Sequence, residues 1–436
     1  MCRFCLRNLR EVKVVTVSDP PGPGRARAVL RAIVPRTWRR RALLLALLFA
    51  ALTVQLRCGR TEPATDPPSS SISALAGPQL WALAGGDIGA ARTTLSDPPL
   101  GAGVAWRRAL SAPATTPLVT DGRALYVGLA DAQLVALSVE SGEELWSVAV
   151  LGQLDDAPLL AGDAMYASLR GGAVVVLDRA SGAQRWSFDS GHGMLSGPVV
   201  VDGVVWAAAR GELLAIDAAS GRRLGSSGLD AQRALGPPVV SAERIVVQTT
   251  GGLHFFDRAT GRLSFLSRLA STLHVVAGGG TVATVTDRSL VVYDEGEQLP
   301  WWDGVRGAWA WAYLAGIAPR FPGQPHRWVA ATDCPPLAPA LGTQEVILAC
   351  VDGHVRAFEL ADGRLRWERE GAPLVEAPIL TRRGVLLVEA AALVLLDSGS
   401  GELIERHQLD LDEVTQAVVT DGGVYLVSGG ELVALR

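Results

Sequence analysis

Short apolar runs rich in β-branched residues alternate with turn-forming residues through most of this chain. The stretch VVVLDRASGAQRW, residues 174–186, shows the pattern: four apolar residues, then Asp178, Ser181 and Gly182, then Trp186. Apolar runs of about four to eight residues bounded by Gly, Asp and Ser are typical of β-strands joined by tight turns. The pattern therefore predicts a strand, a turn and a second strand that begins near Trp186.

The same pattern returns about every 40 residues, which makes it an internal repeat. Related segments begin at Tyr126, Tyr166, Val205, Ile245, Val282, Ile347 and Val385, and a shorter one spans residues 424–436. Each contains two strand-like runs, a further run lies upstream of several copies, and a fourth follows the turn. Four antiparallel strands in about 40 residues are the signature of a β-propeller blade.

The recurring Asp and Gly of each copy have a structural explanation. An Asp side chain can accept a hydrogen bond from the backbone two residues further on, and Gly adopts a positive φ without steric cost. The predicted turn residues are the pairs Asp178 and Gly182, Asp217 and Gly221, Asp257 and Gly261, and Asp397 and Gly401. Because an active site does not occur in seven copies, we interpret these residues as turns and not as catalytic groups.

An aromatic residue often starts the fourth strand, four residues after the turn Gly. Such a side chain can pack between neighbouring blades, and the predicted blade-docking aromatics are Trp106, Trp146, Trp186, Phe265 and Trp367. The strand around Trp106 lacks three preceding strands, whereas the last copy stops at Arg436 before its fourth. Pairing of these two ends removes exposed sheet edges. The sequence thus predicts an all-β, eight-bladed propeller of four-stranded antiparallel blades over residues 80–436.

The turn motif A-x-D-x-x-[ST]-G-x-x-x-W resembles the tryptophan-docking repeat of the PQQ-like, or quinoprotein alcohol dehydrogenase-like, β-propeller family. Residues 81–106 also resemble the segment with which such propellers begin, so the resemblance covers about 80–436. The docking aromatic is missing at Gly225 and Glu405. The family includes both quinoprotein dehydrogenases and outer-membrane protein assembly factors, so the resemblance alone implies two different activities.

For the enzymes of this family, the resemblance implies a PQQ cofactor over a calcium ion, a catalytic aspartate and two adjacent cysteines. No two of the five cysteines in this sequence are adjacent, and its acidic residues lie mostly in predicted turns. We therefore expect no PQQ, no calcium and no catalytic residues, and we interpret the chain as a scaffold that binds envelope proteins. A PQQ-dependent dehydrogenase and a ligand-sensing ectodomain remain the alternatives.

The N-terminal part of the chain has the pattern of an export signal. Three arginines, residues 39–41, precede an apolar run over residues 42–54. We divide this part into a basic region (1–41), an apolar signal or anchor (42–56) and a Pro/Ser-rich tether (57–79). Cys58 is a candidate lipidation site, although Arg57 departs from the lipoprotein pattern; an uncleaved anchor or a cut near Thr53 is the alternative. The predicted location is the periplasm or cell envelope of a bacterium, tethered to the membrane.

Charge is distributed unevenly along the chain. Residues 1–60 contain 13 basic and two acidic residues, whereas the remainder contains 27 basic and 42 acidic residues. An acidic body argues against nucleic acid as a partner and against contact of the propeller with anionic lipid. We expect a monomeric propeller that acts within a protein complex and contacts the membrane through its N-terminal segment.

One interval breaks the repeat period. The spacing from Val282 to Ile347 is 65 residues instead of about 40, and the excess lies near residues 303–334. Because aromatic residues are enriched at protein interfaces, the candidate partner-binding residues are Trp309, Trp311, Tyr313, Phe321 and Trp328. The alternative is that these aromatics pack on the propeller rim. Cys334 and Cys350 are candidates for a disulfide in an exported chain, although spacing alone does not pair them.

Overall fold

A computed structural model describes residues 68–74, 81–82, 84–94, 96–101, 103–154, 156–191, 196–230, 232–269, 272–297, 305–319, 325–411 and 414–436. The predicted basic region and the apolar signal therefore lie outside the described residues, as does Cys58. The structure divides the chain into two compact units. One unit contains the sheets, and the insert of residues 300–323 belongs to the other.

The first unit is a ring of eight four-stranded sheets, which we number as blades in chain order. The first strand along the chain, β1 (Val104–Ala109), belongs to the last blade. Blade 1 contains β2 (Val119–Thr120), β3 (Ala124–Gly128), β4 (Gln133–Ser138) and β5 (Glu144–Ala149). Blade 2 contains β6 (Leu159–Ala161), β7 (Ala164–Leu169), β8 (Ala173–Asp178) and β9 (Gln184–Asp189). Blade 3 contains β10 (Val199–Val201), β11 (Val204–Ala209), β12 (Glu212–Asp217) and β13 (Arg223–Gly228).

The remaining blades follow the same plan. Blade 4 contains β14 (Val239–Val240), β15 (Arg244–Thr249), β16 (Gly252–Asp257) and β17 (Leu263–Ser267). Blade 5 contains β18 (Thr272–Gly278), β19 (Thr281–Thr286), β20 (Ser289–Asp294) and β21 (Trp328–Ala331). Blade 6 contains β22 (Ala340–Leu341), β23 (Glu345–Ala349), β24 (His354–Glu359) and β25 (Leu365–Glu370). Blade 7 contains β26 (Ile379–Leu380), β27 (Val385–Val388), β28 (Ala392–Leu396) and β29 (Leu403–Gln408).

Blade 8 closes the ring with strands from both ends of the described chain. It contains β30 (Val414–Thr420), β31 (Gly423–Ser428) and β32 (Glu431–Leu435), and β1 is its outer strand. The β1–β32 pair is antiparallel, with Trp106 opposite Ala434 and Ala109 opposite Glu431. The prediction of an eight-bladed all-β propeller is therefore confirmed, and the described residues contain one short helix outside the sheets.

The hydrophobic core lies between blades. Tyr166 and Val176 of blade 2 pack in one cluster with Val205 and Ile216 of blade 3. Inner strands such as β7 are buried throughout, whereas outer strands such as β9 alternate between exposed and half-buried residues. Full burial of a Val or Ile side chain contributes about 1.5–3 kcal/mol, so stacking of the blades stabilises the ring.

One face of the ring carries the connection between strands 1 and 2 of every blade and, in blades 1 to 7, the connection between strands 3 and 4, since neighbouring strands are antiparallel. We call it the turn face. Residues 68–74, which the sequence assigned to the tether, lie on this face of blade 3. The Gly203 N–H donates to the Ile72 carbonyl at 2.6 Å, and the Asp202 N–H donates to Ser73 Oγ at 2.9 Å. Part of the predicted tether therefore belongs to the propeller unit.

The insert replaces the turn between β20 and β21 of blade 5. Trp328, one of the candidate partner-binding residues, is the first residue of β21 and is 7% exposed, so it follows the alternative in which the aromatics pack against the propeller. The helix α1 (Arg306–Leu314) lies inside the insert. Within the part of the chain that the structure describes, no helix is long and apolar enough to cross a membrane.

Candidate functional site

A tryptophan indole joins one blade to the turn of the next. The Nε1 of Trp146 in blade 1 donates to the Arg179 carbonyl in blade 2 at 3.1 Å. A Cβ on Gly182 would lie 2.8 Å from the Trp146 ring, and Gly182 has a φ of 72°. Glycine thus satisfies both the close approach and the left-handed backbone. Indole-to-carbonyl bonds of 2.8–3.3 Å join four further pairs: Trp106–Val139, Trp186–Ala218, Trp328–Leu360 and Trp367–Ser398.

The turn carboxylates are occupied by their own turns. Asp178 accepts hydrogen bonds from the Ser181 N–H at 3.0 Å and the Ser181 hydroxyl at 2.8 Å, and it pairs with Arg185 at 2.6 Å. The bond from Arg185, followed by those from Ser181, lowers the pKa of Asp178 to about 2. Asp257 and Asp397 accept equivalent bonds within their turns. These carboxylates stabilise turns and do not converge on a common point.

Asp217 has an additional role, because it holds the N-terminal segment. Its carboxylate accepts the Ser69 N–H at 2.6 Å and the Ser69 hydroxyl at 2.8 Å, besides the bonds from Ser220 of its own turn. Burial alone would raise the pKa of Asp217, but the bonds from Ser69 and Ser220 outweigh it and lower that pKa. The turn of blade 3 is therefore also the attachment point for residues 68–74.

The two positions that lack a docking aromatic have different explanations. At Gly225 of β13, the indole of Trp206 takes its place from β11, two strands away in the same blade, and lies 3.2 Å from a Cβ built on Gly261. At Glu405, the next blade is the composite blade 8, whose third and fourth strands come from opposite ends of the chain. Blade 8 therefore has no turn under which an indole could dock. Phe265, which precedes the insert, is fully buried against Phe255 and Tyr293.

A segment that we call the axial segment, residues 81–94, closes one end of the central channel. It forms backbone hydrogen bonds with the innermost strands of six blades: Trp81 with Thr120, Ala82 with Leu160, Ile88 with Val240, Gly89 with Ala277, Ala91 with Leu341, and Arg92 with Leu380. All six partners lie at or near the carboxyl ends of their strands. Ala74 adds a bond to Val200 of blade 3. The innermost strands of blades 1 to 7 are therefore bound to the chain's own N-terminal residues at the turn face.

Small residues let the axial segment approach these strands closely. A Cβ on Gly89 would lie 1.9 Å from the Ala277 carbonyl oxygen of blade 5, and within the segment a Cβ on Gly85 would lie 2.8 Å from the Ala90 Cα. Asp87 accepts the N–H groups of Gly89 and Ala91 at 3.1 Å each, while its burial raises its pKa. The run AGGDIGAA lies within residues 81–106, which resemble the first segment of such propellers, but because it occurs once the repeat does not indicate what it contacts.

An ion pair fixes the end of the axial segment on blade 7. The guanidinium of Arg92 pairs with Glu376 at 2.7 Å and donates to the Pro378 carbonyl at 3.3 Å. The side chain of His274 lies near this cation, and burial together with the Arg92 charge lowers the pKa of His274. The Arg92–Glu376 ion pair thus binds the end of the segment to blade 7.

The described part of the insert is an exposed apolar helix. No residue of α1 is buried, and Trp311 and Tyr313 are 69% and 51% exposed. The Trp309 indole donates to the Pro319 carbonyl at 3.0 Å, which holds the residues after the helix against it. Of the other predicted partner-binding residues, Phe321 lies outside the described residues and Trp328 belongs to blade 5. The structure therefore brings together Trp309, Trp311 and Tyr313 of the predicted set.

Cys334 and Cys350 form a disulfide at the edge of blade 6. Their sulfur atoms and the Asp352 carboxylate lie within 4.8 Å of one another. Metal ions bind thiolates, and a disulfide offers none. We therefore interpret this group as a covalent link between β21 and β23 and not as a metal site.

Comparison with known proteins supports the propeller family. Residues 96–234 and 170–436 match the family model described as outer membrane protein assembly factor BamB, which together covers more than half of the chain. No curated protein sequence matches this chain. The crystal structure of BamB from Moraxella catarrhalis is similar, with a TM-score of 0.50 and 17% identity over 86% of this chain and 97% of that chain. These findings confirm the resemblance to the PQQ-like propellers.

Two further solved structures share the fold. The computationally designed protein Ika8 has a TM-score of 0.59 and 16% identity, over 75% of this chain and 98% of that one. The quinohemoprotein alcohol dehydrogenase from Comamonas testosteroni has a TM-score of 0.58 and 13% identity, over 83% of this chain and 80% of that one. At such low identities these similarities establish the architecture, which an enzyme and a designed protein share.

Proposed function

Because the chain belongs to the family described as outer membrane protein assembly factor BamB, we propose that it is a non-catalytic scaffold of the bacterial cell envelope. In this proposal the propeller binds envelope proteins and acts in outer-membrane protein assembly. A rigid ring with short turns is a common platform for such surfaces, while activity depends on the site that a fold carries.

The axial segment is the observation that carries this proposal. A cofactor held by several blades at once would have to lie on the axis of the ring, at an end of the channel. At the turn face, the N–H groups of Leu160, Val240 and Ala277 already donate to the axial segment. The chain's own backbone thus uses the groups that an axial ligand would need, which favours a scaffold over a quinoprotein enzyme.

Export is the second part of the proposal. Disulfides persist in oxidising compartments outside the cytoplasm, so the Cys334–Cys350 bond supports a periplasmic or other envelope location. The basic and apolar N-terminal regions supply the signal. We further propose that Cys58 carries the lipid that tethers the protein to the membrane.

The assembly role is tested by depletion of the protein in its own bacterium. The expected result is a lower amount of folded outer-membrane β-barrel proteins, restored by the wild-type chain. Photocrosslinking from surface positions of the propeller should then capture an envelope protein. Normal levels of folded barrels together with no captured protein would overturn the proposed role.

The dehydrogenase alternative needs its own experiment. PQQ and calcium are added to the purified full chain, and absorbance and alcohol oxidation are followed. We expect neither a saturable spectral change nor turnover. Saturable binding with turnover would make the protein an enzyme and would contradict the scaffold.

Location and tethering are tested separately. A reporter that is active in the periplasm should be active when fused after residue 80, and a reporter that requires the cytoplasm should not. Cys58→Ala should release the protein from the membrane if Cys58 carries a lipid. Unchanged membrane fractionation of this variant would exclude lipidation as the tether and leave the apolar segment of residues 42–54 in that role.

A further inference from the structure

The helix α1 and the residues that follow it are apolar on every side. From Gly307 to Ala318 the chain reads GAWAWAYLAGIA and contains no charged residue. Trp311, Tyr313, Leu314 and Ile317 are 69, 51, 41 and 81% exposed. A groove on a protein covers one side of a helix, whereas a helix that is apolar all round is characteristic of an interior or a membrane. Apolarity on all sides therefore favours lipid over a protein groove.

The residue types fit the boundary between lipid and water. Trp and Tyr are enriched at both membrane interfaces, where the ring is in apolar surroundings and the polar tip stays hydrated. Nine residues of α-helix span about 14 Å, well short of the ~30 Å hydrocarbon layer. The helix is thus long enough to enter one interface and too short to cross the bilayer.

Charge around the helix is compatible with anionic lipid although the propeller body is acidic. Residues 300–323 contain one acidic residue, Asp303, and two basic residues, Arg306 and Arg320. Basic residues next to an apolar segment are attracted to the negative surface of anionic membranes. The insert therefore carries a small positive net charge, unlike the acidic remainder of the propeller.

The insert and the N-terminal segment both connect to the propeller at the turn face. The insert leaves blade 5 after β20 and returns at β21, which is a connection between strands 3 and 4. The N-terminal chain reaches the ring at Ser69, bonded to Asp217 in the equivalent turn of blade 3. The 12 residues from 57 to 68 link Ser69 to the predicted anchor and extend at most about 43 Å. An anchored chain thus keeps the turn face near the bilayer.

We propose that α1 is a second membrane contact, which inserts Trp311, Tyr313, Leu314 and Ile317 into the interface of the bilayer that holds the N-terminal segment. This inference rests on the proposed export and tethering of the chain. It extends the sequence prediction, which confined membrane contact to the N-terminal segment. The assignment of α1 to a protein partner is the competing outcome of the experiment.

The test uses the full chain in vesicles of phosphatidylethanolamine and phosphatidylglycerol that contain a photoactivatable phospholipid. After illumination, trypsin cleavage at Arg306 and Arg320 releases the peptide 307–320, which contains α1. We expect lipid adducts on this peptide. The double variant Trp311→Asp/Ile317→Asp should lower them about tenfold or more, because two exposed apolar side chains become charged.

The matched control is Leu151→Asp, since Leu151 is a 99% exposed apolar residue of the propeller. This variant should leave the adducts on peptide 307–320 unchanged, and thermal unfolding should show that all variants remain folded. Adducts on the N-terminal segment without adducts on 307–320 would overturn the inference while leaving the tether intact. Adducts on neither would point to a failure of the proposed tethering. Crosslinking of α1 to an envelope protein instead of lipid would assign it to a protein partner and would also overturn the inference.

Discussion

Trp367 and Trp311 carry the same indole in two regions of opposite design. Trp367 starts an outer strand, is 8% exposed, and donates to the Ser398 carbonyl of the next blade at 2.8 Å. Trp311 lies in a helix without buried residues and is 69% exposed. The difference lies in what packs against the indole. Trp367 packs against the glycine-containing turn of the next blade, about one repeat further along the chain. Position in the repeat, and not residue type, therefore separates structural tryptophans from surface tryptophans.

The comparison also explains where docking is absent. Glu405 occupies the docking position of blade 7, but the composite blade 8 has no turn there to receive an indole. In blade 3 the turn at Gly261 does exist in the neighbour, and Trp206 fills the site from another strand. A docking indole is thus retained where a turn glycine is present, and it is lost where the turn is lost.

The largest expected effect comes from removing a docking indole. Trp367→Ala deletes a buried ring and leaves the Ser398 carbonyl without its donor. We expect the free energy of unfolding to fall by about 3–5 kcal/mol, as for other buried aromatic residues replaced by Ala. Chemical denaturation followed by circular dichroism measures this change. A loss below about 1 kcal/mol would mean that the indole contributes little to blade packing.

A smaller effect should come from filling the space beneath a turn. Gly182 and Gly191 have φ values of 72° and 69°, but a Cβ on Gly182 would lie 2.8 Å from the Trp146 ring, whereas one on Gly191 meets nothing within 4 Å. Gly182→Ala and Gly191→Ala therefore share the backbone penalty and differ in the clash. We expect Gly182→Ala to cost about 1–3 kcal/mol more in unfolding free energy. Equal losses would show that the indole moves aside without cost.

The turn carboxylate predicts a pH dependence. The bonds from Arg185 and Ser181 lower the pKa of Asp178 to about 2, below the value of about 3.9 expected in the unfolded chain. A depressed pKa stabilises the fold above the unfolded pKa, and this stabilisation is lost as pH falls from about 4 through about 2. Asp178→Asn should therefore flatten the acid side of the stability curve. Urea midpoints measured across this range test it, and parallel curves for both proteins would contradict it.

Much of the propeller was predictable because its information is periodic. The turn at Asp178–Gly182 recurs often enough to identify blades, and the unpaired strand at Trp106 predicts the closure with β32. Trp328 was assigned to the insert because the insert shifts the docking residue of blade 5 to a later position in the sequence. In the folded blade, that residue still occupies the usual docking site. Trp301 and Trp302 lie at the sequence interval expected for a docking aromatic after β20. The indole that docks on the turn of blade 6 is instead that of Trp328.

The axial segment could not be read from the repeat. It occurs once, and most of its contacts with the ring are backbone hydrogen bonds, which do not depend on the side chain. The glycine content of residues 81–94 indicates close approach, but not to which strands. The exposure of α1 was likewise undetermined, since Trp and Tyr are equally suited to a core, a protein interface or a membrane interface. The repeat pattern predicts the elements that recur in every blade, whereas the axial segment and α1 each occur once.

The smallest expected effect concerns Trp311, the exposed tryptophan of α1. Trp311→Ala removes an indole that is 69% exposed from a helix with no buried residue. Substitutions at such surface positions change the free energy of unfolding by about 0.5 kcal/mol or less. The denaturation experiment used for Trp367→Ala measures this difference under identical conditions, so the two variants serve as controls for each other. A loss above about 2 kcal/mol would show that α1 packs as part of the folded core, and its assignment to a membrane interface would then have no basis.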